Sequence, residues 1–122
     1  MIAREAVLRN LVVGDVFHAE SPNGASLICL VTQVDEISIY ARTVTTQVQY
    51  LFDRRTGLSG SNNDQVTCTI DSIEPLPVEV YSTILGIDRK FRLSCSPEKF
   101  KLNEAEKSAL VFVDSFYMKN RL

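Results

Sequence analysis

The chain reads Leu-Val-Val-Gly-Asp-Val-Phe-His at residues 11–18, and this stretch opens a series of short segments that extends to residue 76. The segments are rich in β-branched residues, alternate apolar with polar positions, and close with turn signals. Such a pattern predicts short strands that pair into a small barrel or a tightly curled antiparallel sheet. Helical signals follow from residue 77 onward. The sequence therefore predicts an α+β fold, mainly β, with about five strands and C-terminal helices packed on them.

The second predicted strand, residues 26–34, is apolar on both of its alternating faces, which indicates that both faces are covered. A turn with Asn-Gly at residues 23–24 precedes it. Gly14-Asp15 is expected to form a bulge or a tight bend within the first strand. The other strands are predicted over residues 11–20, 37–45, 47–52 and 65–73. Residues 45–46 either bend the chain or continue the strand. A hairpin loop is expected at residues 53–57, and an exposed loop at residues 59–64.

Three helical segments are predicted after the prolines at 75 and 77. The first covers residues 78–85 and ends at Gly86, and a short helical turn begins at Ser96. The last helix is capped by Asn103, with Glu106 completing a capping box. Its apolar stripe is predicted to consist of Ala105, Ala109, Phe112, Val113 and Phe116.

The length of 122 residues predicts one domain over residues 1–122, with a barrel part at 11–76 and a helical part at 77–122. The sequence has no apolar run long enough to cross a bilayer and no signal-peptide pattern, so we expect a cytoplasmic protein without membrane contact. Three widely spaced cysteines support this compartment. Cys29 and Cys68 are interpreted as small apolar residues of the sheet core.

The sequence predicts neither a metal site nor a cofactor. His18 is the only histidine, and the cysteines lack paired ligand spacing. We interpret His18 as a structural residue, because the sequence places neither a nucleophile nor an orienting carboxylate beside it. Phosphate-loop, dinucleotide-binding and serine-elbow motifs are absent as well. We therefore expect the protein not to be an enzyme.

The opening Gly-Asp within apolar residues, the Asn-Gly turn, the apolar second strand and the segment Ile-Ser-Ile-Tyr-Ala-Arg at 37–42 together resemble the small SH3-like barrels. This superfold is shared by Tudor-like, KOW-like and many prokaryotic adaptor domains. The resemblance covers residues 11–76 and implies a fold, and no binding residues are transferred from it.

A non-enzymatic protein-interaction module is the function that the sequence favours. Loops on a rigid scaffold commonly carry binding residues, so the predicted interaction surface consists of Arg54, Arg55, Asn62 and Asn63. The partner is a different protein, or a second copy if the stripe of the last helix is wider than the barrel covers.

Nucleic-acid binding is the alternative function. Residues 1–77 hold five basic and nine acidic side chains, whereas residues 78–122 hold eight basic and six acidic ones. The basic segment 89–101 would neutralise phosphates through Arg89, Lys90, Arg92, Lys99 and Lys101. This alternative requires that these side chains converge on one surface.

Overall fold

A computed structural model of the chain describes residues 4–59, 68–93 and 102–121. Its elements, in chain order, are α1 (Arg4–Leu8), β1 (Val16–Glu20), β2 (Ser26–Val34), β3 (Ser38–Thr43), β4 (Gln49–Asp53), β5 (Leu58–Ser59), β6 (Cys68–Ser72), α2 (Val78–Leu93) and α3 (Glu104–Lys119). None of the helices in these three segments combines the length and the apolar character needed to cross a membrane.

In the described part of the chain, six antiparallel strands form a closed barrel in the order β1-β2-β3-β4-β5-β6, and β1 pairs with β6 to close it. The predicted α+β architecture of a small barrel with C-terminal helices is therefore confirmed. The sixth strand is β5, which the sequence did not reveal because it contains only two residues. Ser59 belongs to β5 and is buried, so the prediction of an exposed loop was wrong at that residue. Residues 60–64 of the predicted loop lie outside the described residues.

The turns follow from glycine and asparagine at the expected places. Gly24 has a φ of +83°, and the Ser21 N–H donates to Ala25 O (3.0 Å), which closes the predicted turn before β2. Gly57, with a φ of +74°, ends the loop after β4 as predicted. The first strand begins at Val16, later than predicted, because Gly14 at a φ of +95° turns the chain there. Residues 44–46 form a turn, so the chain bends between β3 and β4.

Strand β2 separates two apolar cores, as its two apolar faces predicted. Cys29 and Val31 lie in the barrel interior, whereas Leu30 and Ile28 pack against the helices. Alternate side chains of a strand point to opposite faces, so a strand between two cores must be apolar on both. The prediction that β2 is covered on both sides is confirmed.

The barrel interior is filled by aromatic and branched side chains. Phe17 and Phe52 meet edge to face with their ring centroids 5.3 Å apart. Cys29 and Cys68 are free and buried, in agreement with their interpretation as core residues. Burial raises the pKa of both thiols, so both are held as neutral thiols. Cys95 lies outside the described residues.

The α2 helix is twice as long as the sequence predicted, because Gly86 does not end it. Gly86 is exposed within the helix, and a Cβ at this position would meet open space. Glycine in a helix costs about 1 kcal/mol relative to alanine. The next two residues, Ile87 and Asp88, are buried against the barrel, and their contacts outweigh that penalty.

The α3 helix begins as predicted, since the side chain of Asn103 accepts from the Glu106 N–H and Glu106 completes the capping box. Its buried stripe differs from the predicted one, because Ala105 and Phe112 are exposed and Tyr117 is fully buried. The Tyr117 hydroxyl donates to Val16 O (3.1 Å), and burial raises the pKa of this phenol. The hydrogen bond explains why a polar residue takes the core position. The short helical turn predicted from Ser96 lies outside the described residues.

Candidate functional site

The predicted interaction surface is described only in part. The guanidinium group of Arg54 donates to three backbone carbonyls, those of Asp35 (2.6 Å), Arg9 (3.0 Å) and Leu11 (3.4 Å). Arg54 therefore joins the N-terminal segment to the turn between β2 and β3. Arg55 is exposed, and Asn62 and Asn63 lie outside the described residues. The role of this surface in binding stays a prediction.

The basic residues of the alternative function fall into two groups. Arg89, Lys90 and Arg92 lie near the end of α2, whereas Lys99 and Lys101 are not among the described residues. Lys90 contacts Glu106 on α3 with its Nζ 2.8 Å from Oε1, and Arg92 Nε lies 3.8 Å from Asp88 Oδ2. Lys90 and Arg92 thus have acidic neighbours, which reduces the positive field that they offer to a phosphate backbone.

A polar network around Asp88 joins α2 to the barrel. Arg42 Nε and Nη2 donate to the two carboxylate oxygens of Asp88 at 2.9 and 2.8 Å. Gln47 Nε2 donates to Asp88 Oδ1 at 2.9 Å. Burial alone would raise the pKa of Asp88, but these hydrogen bonds and the charges of Arg42 and Arg92 hold it below its ordinary value. The network orients α2 on the barrel and is a structural feature.

His18, which is buried, and Asp71, which is partly exposed, form a second polar pair between β1 and β6. His18 Nδ1 contacts Asp71 Oδ1, and the His18 ring lies 5.6 Å from that of Tyr117. His18 is only 2% exposed, and its Nε2 has no hydrogen-bond partner among the described residues. The ring is almost completely enclosed, which favours the structural interpretation of His18. The described residues also contain no group of three or more potential ligands placed to hold a metal ion.

A cleft of about 380 Å³ lies where the N-terminal segment meets the start of α2, and we call it the N-terminal cleft. Its volume falls within the range of about 300–1,000 Å³ that is typical of ligand pockets. Its apolar walls include Leu11, Val16, Ile73, Pro75, Leu76 and Tyr81. The polar residues of its lining are Asn10, Asp15, Glu74 and Tyr81.

Backbone hydrogen bonds fix the N-terminal side of the cleft. The Gly14 N–H donates to Val31 O (3.0 Å), and the Val31 N–H donates to Asp15 O (2.8 Å). The Tyr81 hydroxyl donates to Gly14 O at 2.5 Å, which ties α2 to the same segment. Leu8 and Leu11 are buried in the barrel interior and anchor the preceding residues. The cleft is therefore a formed feature of the fold.

Exposed valines adjoin the cleft in the chain. Val12 and Val13, which are 55% and 61% exposed, lie between the lining residues Leu11 and Asp15. Val78, which is 79% exposed, lies one helical turn before Tyr81. Exposed apolar residues beside a concave surface are typical of a binding site.

The sequence did not indicate this cleft. Its two sides are about 60 residues apart, and its walls are apolar residues that resemble core residues in the sequence. The only local signals were the Gly14-Asp15 bend and the prolines at 75 and 77. These two signals can be assigned to one site only when the packing of α2 on β1 is known.

No family model matches the chain, and no curated protein and no solved structure matches it either. The barrel, its helices and the N-terminal cleft are therefore the basis from which a function is inferred.

Proposed function

We propose that the chain is a non-enzymatic protein-interaction module, built on an SH3-like barrel, whose partner binds at the N-terminal cleft. The observation that carries this proposal is a preformed, mainly apolar cleft whose lining residues are close in the chain to three exposed valines. Contact with a partner would remove this surface from water, at a gain of about 25 cal/mol for each Å² of apolar area.

The chemistry of the cleft favours binding over catalysis. Its described lining offers two carboxylates, one amide and one phenol, and the phenol already donates to Gly14 O. The lining described here includes no histidine, cysteine or serine that would act as a nucleophile. The two carboxylates also disfavour a nucleic-acid ligand at this position, because they would repel its phosphates.

Selection from a random-peptide library displayed on phage tests the proposal. The immobilised proteins are the wild type, a cleft variant that combines Val13→Gln with Val78→Gln, and a control that combines Val111→Gln with Met118→Gln. Val111 and Met118 are also exposed, at 70% and 64%, but lie on α3. Each double variant replaces two exposed apolar side chains by neutral polar ones, so both are expected to fold.

We expect the wild type and the control to enrich the same peptides, and the cleft variant to bind them at least about tenfold more weakly. Failure to enrich any peptide, or equal binding by the cleft variant, would contradict the proposal. The mass of the unbound protein in solution tests the case of a second copy as the partner, because a monomer excludes it. Salt-dependent binding of mixed-sequence oligonucleotides would instead support the alternative function through α2.

A further inference from the structure

Asp15 places a preoriented carboxylate at the N-terminal cleft. Its Oδ2 accepts a hydrogen bond from the Val12 N–H at 2.9 Å, and its backbone is bonded to Val31 in β2. Among the described residues, no arginine or lysine lies within ion-pair distance of this carboxylate. The negative charge is therefore available to a ligand, and little freedom is lost when the ligand binds.

Glu74 supplies the second carboxylate from the other chain segment that lines the cleft. It lies between the lining residues Ile73 and Pro75, and the following proline restricts its backbone to extended conformations. The carboxylate is exposed, and no cation among the described residues pairs with it. Two carboxylates thus share a cleft whose other walls are mainly apolar.

A basic side chain complements both parts of this lining. Arginine and lysine have long aliphatic stems that lie along apolar surfaces while the charged end reaches a polar group. Arginine fits better than lysine, because its planar group can donate to two carboxylate oxygens at once. The exposed valines beside the cleft would contact apolar residues that flank the basic one.

We infer that the partner inserts an arginine, flanked by apolar residues, into the N-terminal cleft, where it pairs with Asp15 and Glu74. This inference rests on the proposed function and names the chemistry of the ligand. The two carboxylates would bind the arginine, and the valines would contact the apolar residues that flank it.

The peptides enriched by the wild-type protein supply the probe. The most enriched peptide is synthesised with a fluorescent label, together with a version in which its basic residue is replaced by glutamine. Binding of both peptides is measured by anisotropy to the wild type, Glu74→Gln and Asp15→Asn. The matched control is Glu104→Gln, because Glu104 is exposed at the start of α3, which contacts the opposite end of α2 through Lys90 and Glu106.

We expect arginine to be enriched in the selected peptides, with apolar neighbours. Glu74→Gln and Asp15→Asn should each weaken binding of the basic peptide by about threefold to tenfold, and added salt should weaken it as well. The glutamine peptide should bind weakly to all variants, and Glu104→Gln should bind the basic peptide as the wild type does.

Cleft-dependent peptides without a basic residue would overturn the inference and leave the proposed function standing. Equal affinity of the basic peptide for the wild type and both carboxylate variants would also overturn the inference but not the proposed function. Absence of any cleft-dependent peptide would overturn the proposed function itself, and the inference with it.

Discussion

Gly86 and Gly24 show how one residue type has opposite roles at two positions. Both have open space where a Cβ would lie, but only Gly24 has a positive φ, of +83°. At Gly86 the backbone is helical, so the absent side chain only increases the flexibility of the unfolded chain and weakens the helix. The sequence alone does not distinguish the two cases, since a glycine after an apolar stretch is also the usual end of a helix.

We predict that Gly86→Ala raises the free energy of unfolding by about 0.5–1 kcal/mol, because alanine is the better helix former. Urea unfolding followed by circular dichroism measures this change. Gly24→Ala is the matched control and should destabilise the protein, since alanine is strained at a positive φ. A loss of stability in Gly86→Ala would show that α2 does not continue through this residue.

Tyr81 connects α2 to the Gly14 segment at the N-terminal cleft. We predict that Tyr81→Phe lowers the free energy of unfolding by about 1 kcal/mol, because Gly14 O loses a hydrogen bond. Amide exchange at Gly14 should become faster, since its N–H bond to Val31 O lies in the released segment. Tyr40→Phe provides the control, because the structure gives the Tyr40 hydroxyl no partner among the described residues. Equal exchange rates at Gly14 in both variants would contradict this role.

At the scale of elements, one buried carboxylate adds a polar contact to the apolar packing of α2 on the barrel. Asp88 is 3% exposed and accepts hydrogen bonds from Arg42 on β3 and from Gln47. We predict that Asp88→Asn lowers the free energy of unfolding at pH 7 by about 2–3 kcal/mol. The expected loss is smaller than that for a fully buried ion pair, because Arg42 is partly exposed. Asp114→Asn on the exposed side of α3 should change stability by less than about 0.5 kcal/mol.

The same carboxylate makes part of the stability dependent on pH. The pKa of Asp88 is lower in the folded protein than its ordinary value of 3.8. Its contribution is therefore complete well above pH 3.8 and is lost as the pH falls through the folded-state pKa. Urea unfolding at pH 7 and pH 3 should show a smaller difference between wild type and Asp88→Asn at the lower pH. A difference that is independent of pH would contradict this role of the ionised form.

Local patterns predicted elements well, and contacts between elements poorly. The two apolar faces of β2 and the Asn103 cap were readable because each depends on residues close in the sequence. The partners of Asp88 are more than 40 residues away, and the N-terminal cleft joins two segments that are about 60 residues apart. Neither has a local signal. The predicted stripe of α3 omitted Tyr117, which is buried. A tyrosine is favourably buried when its hydroxyl forms a hydrogen bond, and the acceptor, Val16 O, is distant in the sequence.

For the whole molecule, the helices divide the barrel surface into a covered and an open part. They pack on the outer face of β1 and β2, and the resulting second core includes Val16, Leu30, Ile84 and Val113. The N-terminal cleft forms at the edge of this contact, where α2 begins. Its walls therefore come both from the segment that leads into β1 and from the start of the helical part.

The central claim is that a partner binds at the N-terminal cleft, and the most direct test is a map of amide chemical shifts by NMR. The ¹⁵N-labelled protein is titrated with the most enriched peptide from the library selection. We predict that the largest shift changes occur at residues 7–16 and 73–81, with little change at Val111 and Met118 on α3. Changes centred on the outer face of β3 and β4, or on α3, would contradict the claim.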